Sequence, residues 1–154
     1  MNAKRYRMWL LGILIAYTLL LLWRMLFYAY SDYIRQAEEV YRYSLIPFDT
    51  IQRYIVYGSS LDIRIVIYNL LGNIAVFVPI GYLIKAVMHK TKHSALLLSF
   101  AYIITLEFVQ LITKRGVFDV DDIILNFLGC LIGSIAFMLC NEYLVTAVKN
   151  KFSK

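Results

Sequence analysis

Four long apolar runs divide the chain, at residues 8–28, 65–84, 95–113 and 123–143. A helix rises about 1.5 Å per residue, so roughly 20 consecutive apolar residues cross the hydrocarbon core of a bilayer. Each run meets that length, and the pattern predicts an all-α fold: an integral membrane bundle of four transmembrane helices. The first run follows Lys4, Arg5 and Arg7, as a signal peptide would. It is too long for such a peptide and ends in bulky aromatics where a cleavage site needs small residues, so it reads as a retained helix.

The connection from Ser31 to Arg64 is the longest polar stretch, yet it is too apolar and aromatic for a disordered loop. Ser31 and Asp32 look like a helix start. Asp49 is placed to cap a short amphipathic helix over 50–57 that stops at Gly58. Between them, Leu45-Ile46-Pro47-Phe48 takes an extended step at the proline. The segment is expected to lie on the membrane surface, its tyrosines at headgroup level.

Charge orients the helices. With the N-terminus inside, Lys4, Arg5, Arg7, Lys85, Lys90, Lys92, Lys149, Lys151 and Lys154 fall on the inner side, nine in all, against seven outside: Arg24, Arg35, Arg42, Arg53, Arg64, Lys114 and Arg115. The excess is small, but the first helix carries its basic cluster at the N-terminal end and the inner connections hold only Glu142 as an acid. Both termini are therefore expected in the cytoplasm. The chain then divides into an N-terminal transmembrane helix (1–30), an extracytoplasmic interfacial segment with the amphipathic element (31–64), a three-helix core (65–145) and a basic cytoplasmic tail (146–154).

Composition agrees: 61% of residues are hydrophobic and 17% charged, with a mean hydropathy of +0.66, well away from the profile of a soluble domain. The net charge of +6 does not signal nucleic acid, because the basic residues are scattered over connections and not interleaved with aromatics on one face. Cys130 and Cys140 are ten residues apart in one apolar run, roughly 15 Å along a helix and too far to bridge. His89 and His93 have metal-ligand spacing but no third ligand nearby, and no phosphate-cradling loop or nucleophile elbow occurs. No metal or cofactor is expected.

Polar side chains inside the apolar runs carry the functional signal, since an acid at mid-helix costs about 3 kcal/mol to insert. Glu107 and Gln110 share a face of the third helix, and Asn69 and Asn73 share a face of the second. Asp119, Asp122 and Asn126 form one stripe at the start of the fourth helix, which continues as Gly129 and Gly133. A Gly-x-x-x-Gly pair admits a neighbouring backbone, so this stripe is expected to face the bundle. Asp121, about 100° from Asp122 on a helix, is expected to be neutral to function. Three helices thus bring carboxylates and amides to one depth near the outer surface, with Lys114 and Arg115 available to pair with them. Asp119 also reads as a helix N-cap, Asn69 and Asn73 as helix-packing glue, and Glu107 with Arg115 as a structural ion pair.

These residues resemble a known family. The motifs Asn69-x-x-x-Asn73-x-x-x-Phe77-x-Pro79-x-Gly81, Glu107-x-x-Gln110, and Arg115 followed by Asp119-x-x-Asp122-x-x-x-Asn126-x-x-Gly129 are similar to those of VanZ-like membrane proteins. Leu45-Ile46-Pro47-Phe48 resembles the family's outer Pro-Phe element, and Arg115 stands one residue further from Asp119 than in many members. The resemblance implies a bacterial cell-envelope protein; the family name comes from a protein that gives low-level resistance to teicoplanin, a lipoglycopeptide.

The leading expectation is a cytoplasmic-membrane protein that lessens lipoglycopeptide action through a polar amphiphile-binding pocket in the outer leaflet. Asn69, Asn73, Glu107, Gln110, Arg115, Asp119, Asp122 and Asn126 would line it. Membrane lipids, a lipoglycopeptide or a lipid-linked wall precursor would be its partners. The alternatives are a membrane-embedded enzyme with Glu107 or Asp122 as general base on a lipid-linked substrate, and a structural or regulatory membrane subunit.

Overall fold

A computed structural model describes residues 2–28, 43–57, 63–88 and 92–152. The chain forms α1 (Ala3–Trp23), which runs into a π-helical turn (Arg24–Tyr28), then β1 (Tyr43–Ser44), α2 (Asp49–Tyr57), α3 (Ile63–Val87), α4 (Lys92–Thr113), β2 (Phe118–Asp119) and α5 (Val120–Phe152). Four helical stretches are long and apolar enough to cross a membrane: Lys4–Phe27, Asn69–Val87, Ser94–Thr113 and Val120–Tyr143. The all-α multi-pass membrane bundle expected from the apolar runs is the observed fold. α5 continues to Phe152, through most of the segment expected as a tail. The helix start at Ser31 and Asp32, the stop at Gly58, and His89 lie outside the described residues.

α3 and α5 form the most extensive helix pair, and glycine is the reason. A Cβ on Gly129 would stand 2.2 Å from the carbonyl oxygen of Ile74, one on Gly133 2.0 Å from that of Val78, and one on Gly81 2.0 Å from that of Cys130. The two backbones touch where side chains would hold them apart, the geometry that small residues permit between membrane helices. Around this pair, Phe77, Ile80, Ile84, Ile103, Leu106, Ile123 and Cys130 make the main core, and Leu10, Leu83, Ala86 and Phe137 a second cluster. Most remaining apolar side chains face outward, as lipid allows.

α1 is the least buried of the four spans and is held by polar clips. The Tyr17 hydroxyl donates to the Val76 carbonyl at 2.9 Å, and the Tyr102 hydroxyl to Thr18 Oγ1 at 3.0 Å. At its far end the Arg115 guanidinium donates to the Leu26 carbonyl at 2.7 Å and lies 5.1 Å from the centre of the Phe27 ring. Terminal carbonyls of a helix lack internal partners and favour a cation, so Arg115 completes this helix end.

The end of the bundle where α1 finishes and α5 begins is met by the described part of the connection between α1 and α3, residues 43–57. β1 pairs in parallel with β2, Tyr43 opposite Phe118 and Ser44 opposite Asp119. α2 docks beside it on the start of α5. This two-strand ribbon, absent from the sequence-based expectation, ties the cap to the α4–α5 turn.

Because Gly133 touches α3 backbone while Ile132 is largely exposed, Gly133→Leu is expected to destabilise the purified protein by about 2 kcal/mol or more. Ile132→Leu should be near neutral. Thermal unfolding in detergent checks the pair, and equal stability of the two variants would contradict the packing.

Candidate functional site

The α4–α5 turn builds the first wall of the site. α4 ends at Thr113, and Lys114 takes a left-handed conformation, φ 54°, from which the Arg115 N–H reaches back to the Gln110 carbonyl at 3.2 Å. Gln110 covers this turn, since a Cβ on Gly116 would lie 3.1 Å from it. Asp119 then caps α5: its Oδ1 accepts from the Asp121 N–H at 2.9 Å, the N-cap geometry anticipated for it. Its other oxygen, Oδ2, accepts from the Thr50 hydroxyl at 2.7 Å, so one carboxylate starts α5 and holds α2.

Asp121 corrects the sequence reading. It is fully buried, and its carboxylate accepts from the backbone N–H groups of Phe48 and, at 3.0 Å, Ile51. Ile51 is the third residue of α2, whose N–H a capping side chain ordinarily satisfies. Phe48, at the cap position, has no acceptor to offer and sits in a left-handed conformation, φ 67°. Asp49, expected to cap, instead points along the helix to pair with Arg53 four residues on. Asp121 is thus an N-cap supplied from another helix, and its charge complements the dipole of α2. A helical wheel could show that Asp121 points away from Asp122 but not that α2 waits on that side.

Between this cap and the transmembrane helices lies a polar cavity of about 740 Å³. Its walls are Tyr43 and Ser44 of β1, Thr50, Arg53 and Tyr54 of α2, Asn69, Leu70 and Asn73 of α3, Val117 and Asp119 of the turn, and Asp122 and Leu125 of α5. The Asn73 amide donates to Asp122 Oδ1, bridging α3 and α5 at the cavity wall. Burial, reinforced by the Asp122 and Asp119 carboxylates and only partly offset by Arg53, pushes the Tyr54 phenol up from its ordinary value. Tyr54 therefore keeps its proton and serves as a neutral donor. Arg53 stays charged, its pKa raised by the bond to Asp49 and the charge beside it.

Of the eight residues expected to line a pocket, the structure brings Asn69, Asn73, Asp119 and Asp122 to its walls. Glu107 and Asn126 form a separate, buried pair between α4 and α5: the Asn126 amide donates to Glu107 Oε1 at 3.4 Å, while Glu107 Oε2 and Asn126 Oδ1 have no partner. Gln110 lies over the turn, and Arg115 is turned towards the end of α1. The ion pair considered for Glu107 and Arg115 is replaced by these two separate contacts. Gly129 and Gly133 lie against α3. Among the described residues, no three His, Cys, Asp or Glu side chains converge to hold a metal ion.

The cavity residues missed by sequence reasoning are those of the cap: Tyr43, Ser44, Thr50, Arg53 and Tyr54. One signal was present. Acids on two faces of the first turn of a membrane helix, Asp121 and Asp122, cannot both face the bundle unless protein covers the second face as well.

A bundle of four helices long and apolar enough to cross a membrane, with a capped polar cavity at one end, defines a polytopic membrane protein. The chain matches the VanZ/LLP1 family over residues 14–141, which takes in the cap, the second and third spans, most of the fourth and the second half of the first. It belongs to that family. No curated protein matches the chain, and no solved structure does.

Asp121→Ala is expected to loosen α2 by about 1–2 kcal/mol, the cost of losing a cap. Hydrogen–deuterium exchange over 49–57 should rise in this variant and change little in Asp49→Ala, whose carboxylate makes only an exposed pair. Unchanged exchange in Asp121→Ala would refute the capping role.

Proposed function

We propose that this protein resides in a bacterial cytoplasmic membrane with both termini inside, and that its polar cavity opens at the outer leaflet. There it binds the polar group of an amphiphile and so lessens the action of teicoplanin-type lipoglycopeptides. The observation that carries the reading is the cavity itself, whose size is that of small-molecule sites. It suits a headgroup, a sugar or the polar part of a wall precursor better than an entire lipoglycopeptide. Membership in the VanZ/LLP1 family supports a role in the cell envelope.

Recognition would use both signs of polarity. Arg53 and Tyr54 offer donors from the cap, while Asp119, Asp122 and the amides of Asn69 and Asn73 line the opposite side. Next to apolar walls and lipid, such contacts are screened less than in water. Glu107 and Asn126 supply two further acceptor oxygens without partners behind the wall, so a change of charge there alters the field at Asp122. A second reading, an enzyme acting on a lipid-linked substrate with Asp122 as general base, draws on the position of Asp122 in the wall.

The orientation predicts reaction with a membrane-impermeant maleimide in intact cells. In a Cys140→Ser background, Val117→Cys should be labelled and Thr91→Cys should not. Labelling at position 91 from outside would reverse the topology.

For the site, Asp122→Asn keeps shape and the bond to Asn73 but removes the charge. Expressed in a teicoplanin-sensitive Gram-positive host, it should accumulate like the parent yet give little or no protection, and Glu107→Gln should behave alike. Glu142→Gln, an exposed acid far along α5, should protect fully. Full protection by Asp122→Asn would sink the proposal. A lipid or precursor profile altered by the parent and restored in Asp122→Asn would instead favour the enzyme.

A further inference from the structure

At the end of the bundle opposite the polar cavity, Lys85 occupies an unusual position. It lies two residues before α3 ends at Val87, close to headgroup depth for a helix of this rise. A lysine at such a place normally snorkels outward, its stem along the helix and its ammonium in water. Lys85 is only 5% exposed, its side chain packed on α3 against residues of α4 and α5. Its ammonium makes no hydrogen bond or ion pair with any described residue.

The side chain lines a second cavity, of about 200 Å³, whose other walls include Leu96 of α4 and Leu131, Ser134, Ile135 and Met138 of α5. Apart from Lys85, the one polar group among these is the Ser134 hydroxyl, which already donates to the Gly81 carbonyl at 3.3 Å. Lys85 thus borders a largely apolar chamber, and its ammonium bonds none of the groups that line it. A cation beside apolar walls is screened less than one in open water, so an anion brought to it is held more strongly.

We propose that this chamber is a binding site for an anionic phospholipid, independent of the polar cavity and of the function proposed for it. The phosphate accepts from the Lys85 ammonium at headgroup depth. The upper part of an acyl chain lies along Leu96, Leu131, Ile135 and Met138. The apolar walls select a lipid over a free phosphate, and the single buried cation selects an anionic headgroup over a zwitterionic one. Basic clefts between transmembrane helices commonly recognise anionic lipid in this way. Lys90 and Lys92 follow closely in the sequence.

The test is thermal unfolding of the full-length protein in a neutral detergent, with phosphatidylglycerol or phosphatidylcholine of matched chains added in increasing amounts. Phosphatidylglycerol should raise the midpoint with saturation and phosphatidylcholine should not. Lys85→Gln should raise the half-saturating concentration by about tenfold or more, while Lys85→Arg and Lys4→Gln, the latter an exposed charge on α1, should keep the parental response. Equal stabilisation by both lipids, an unchanged response in Lys85→Gln, the same loss in Lys4→Gln, or equal stabilisation by inorganic phosphate would each overturn the proposal. If Lys85→Gln does not fold, Ile135→Trp serves instead, because it keeps the charge and fills the chamber. Retention of the phosphatidylglycerol effect in that variant would overturn the proposal equally.

Discussion

The contact of α3 with α5 through Gly81, Gly129 and Gly133 sets the geometry of everything else in this bundle. In lipid there is little hydrophobic force between helices, so association rests on close van der Waals contact and on polar groups that find each other. The three glycines bring backbone to backbone, and at that separation the short side chains of Asn73 and Asp122 can bond directly across the interface. Widen the gap by a methyl group or two and that bridge breaks. The register imposed by the glycine contacts also fixes how far α5 rises past α3, and hence where Asp119 and Asp121 meet the cap.

The cap shows how membrane helices resolve the cost of buried acids. Four carboxylates, those of Glu107, Asp119, Asp121 and Asp122, gather near one end, and lipid can accept none of them. Asp119 takes an N–H of its own helix and a hydroxyl of α2, Asp121 takes two N–H groups at the start of α2, and Asp122 takes the Asn73 amide. α2 is thus held by its need for acceptors as much as by its apolar face. Its outer surface, with Ile55 and Val56 exposed, continues the apolar exterior of the spans. Among the described residues, the Glu107–Asn126 pair leaves acceptor oxygens unsatisfied, an arrangement that is uncommon for buried polar groups.

The two ends of the molecule are built on opposite rules. At the capped end, polar groups from three helices and the ribbon surround a cavity rich in partners for one another. At the other, Lys85 borders a largely apolar chamber and, among the described residues, bonds none of its lining.

Several features that follow from the bilayer as a solvent were legible in the chain itself. The four spans follow from the length of the apolar runs. The inward stripe of Asp122, Asn126, Gly129 and Gly133 follows from helical periodicity combined with the cost of exposing acids to lipid, and the cap of α5 by Asp119 follows from local backbone needs. What the sequence could not determine is which surfaces meet across the fold. Asp121 looked idle because periodicity describes one helix at a time, whereas its partners are N–H groups about seventy positions away. Arg115 and Glu107 looked like a pair because they are close in sequence and opposite in charge. The turn after α4 sends the arginine to the end of α1 and leaves the glutamate facing α5. Solvation energy is a property of composition and can be read along the chain, but the choice of partner depends on backbone placement, and only the packed structure supplies that.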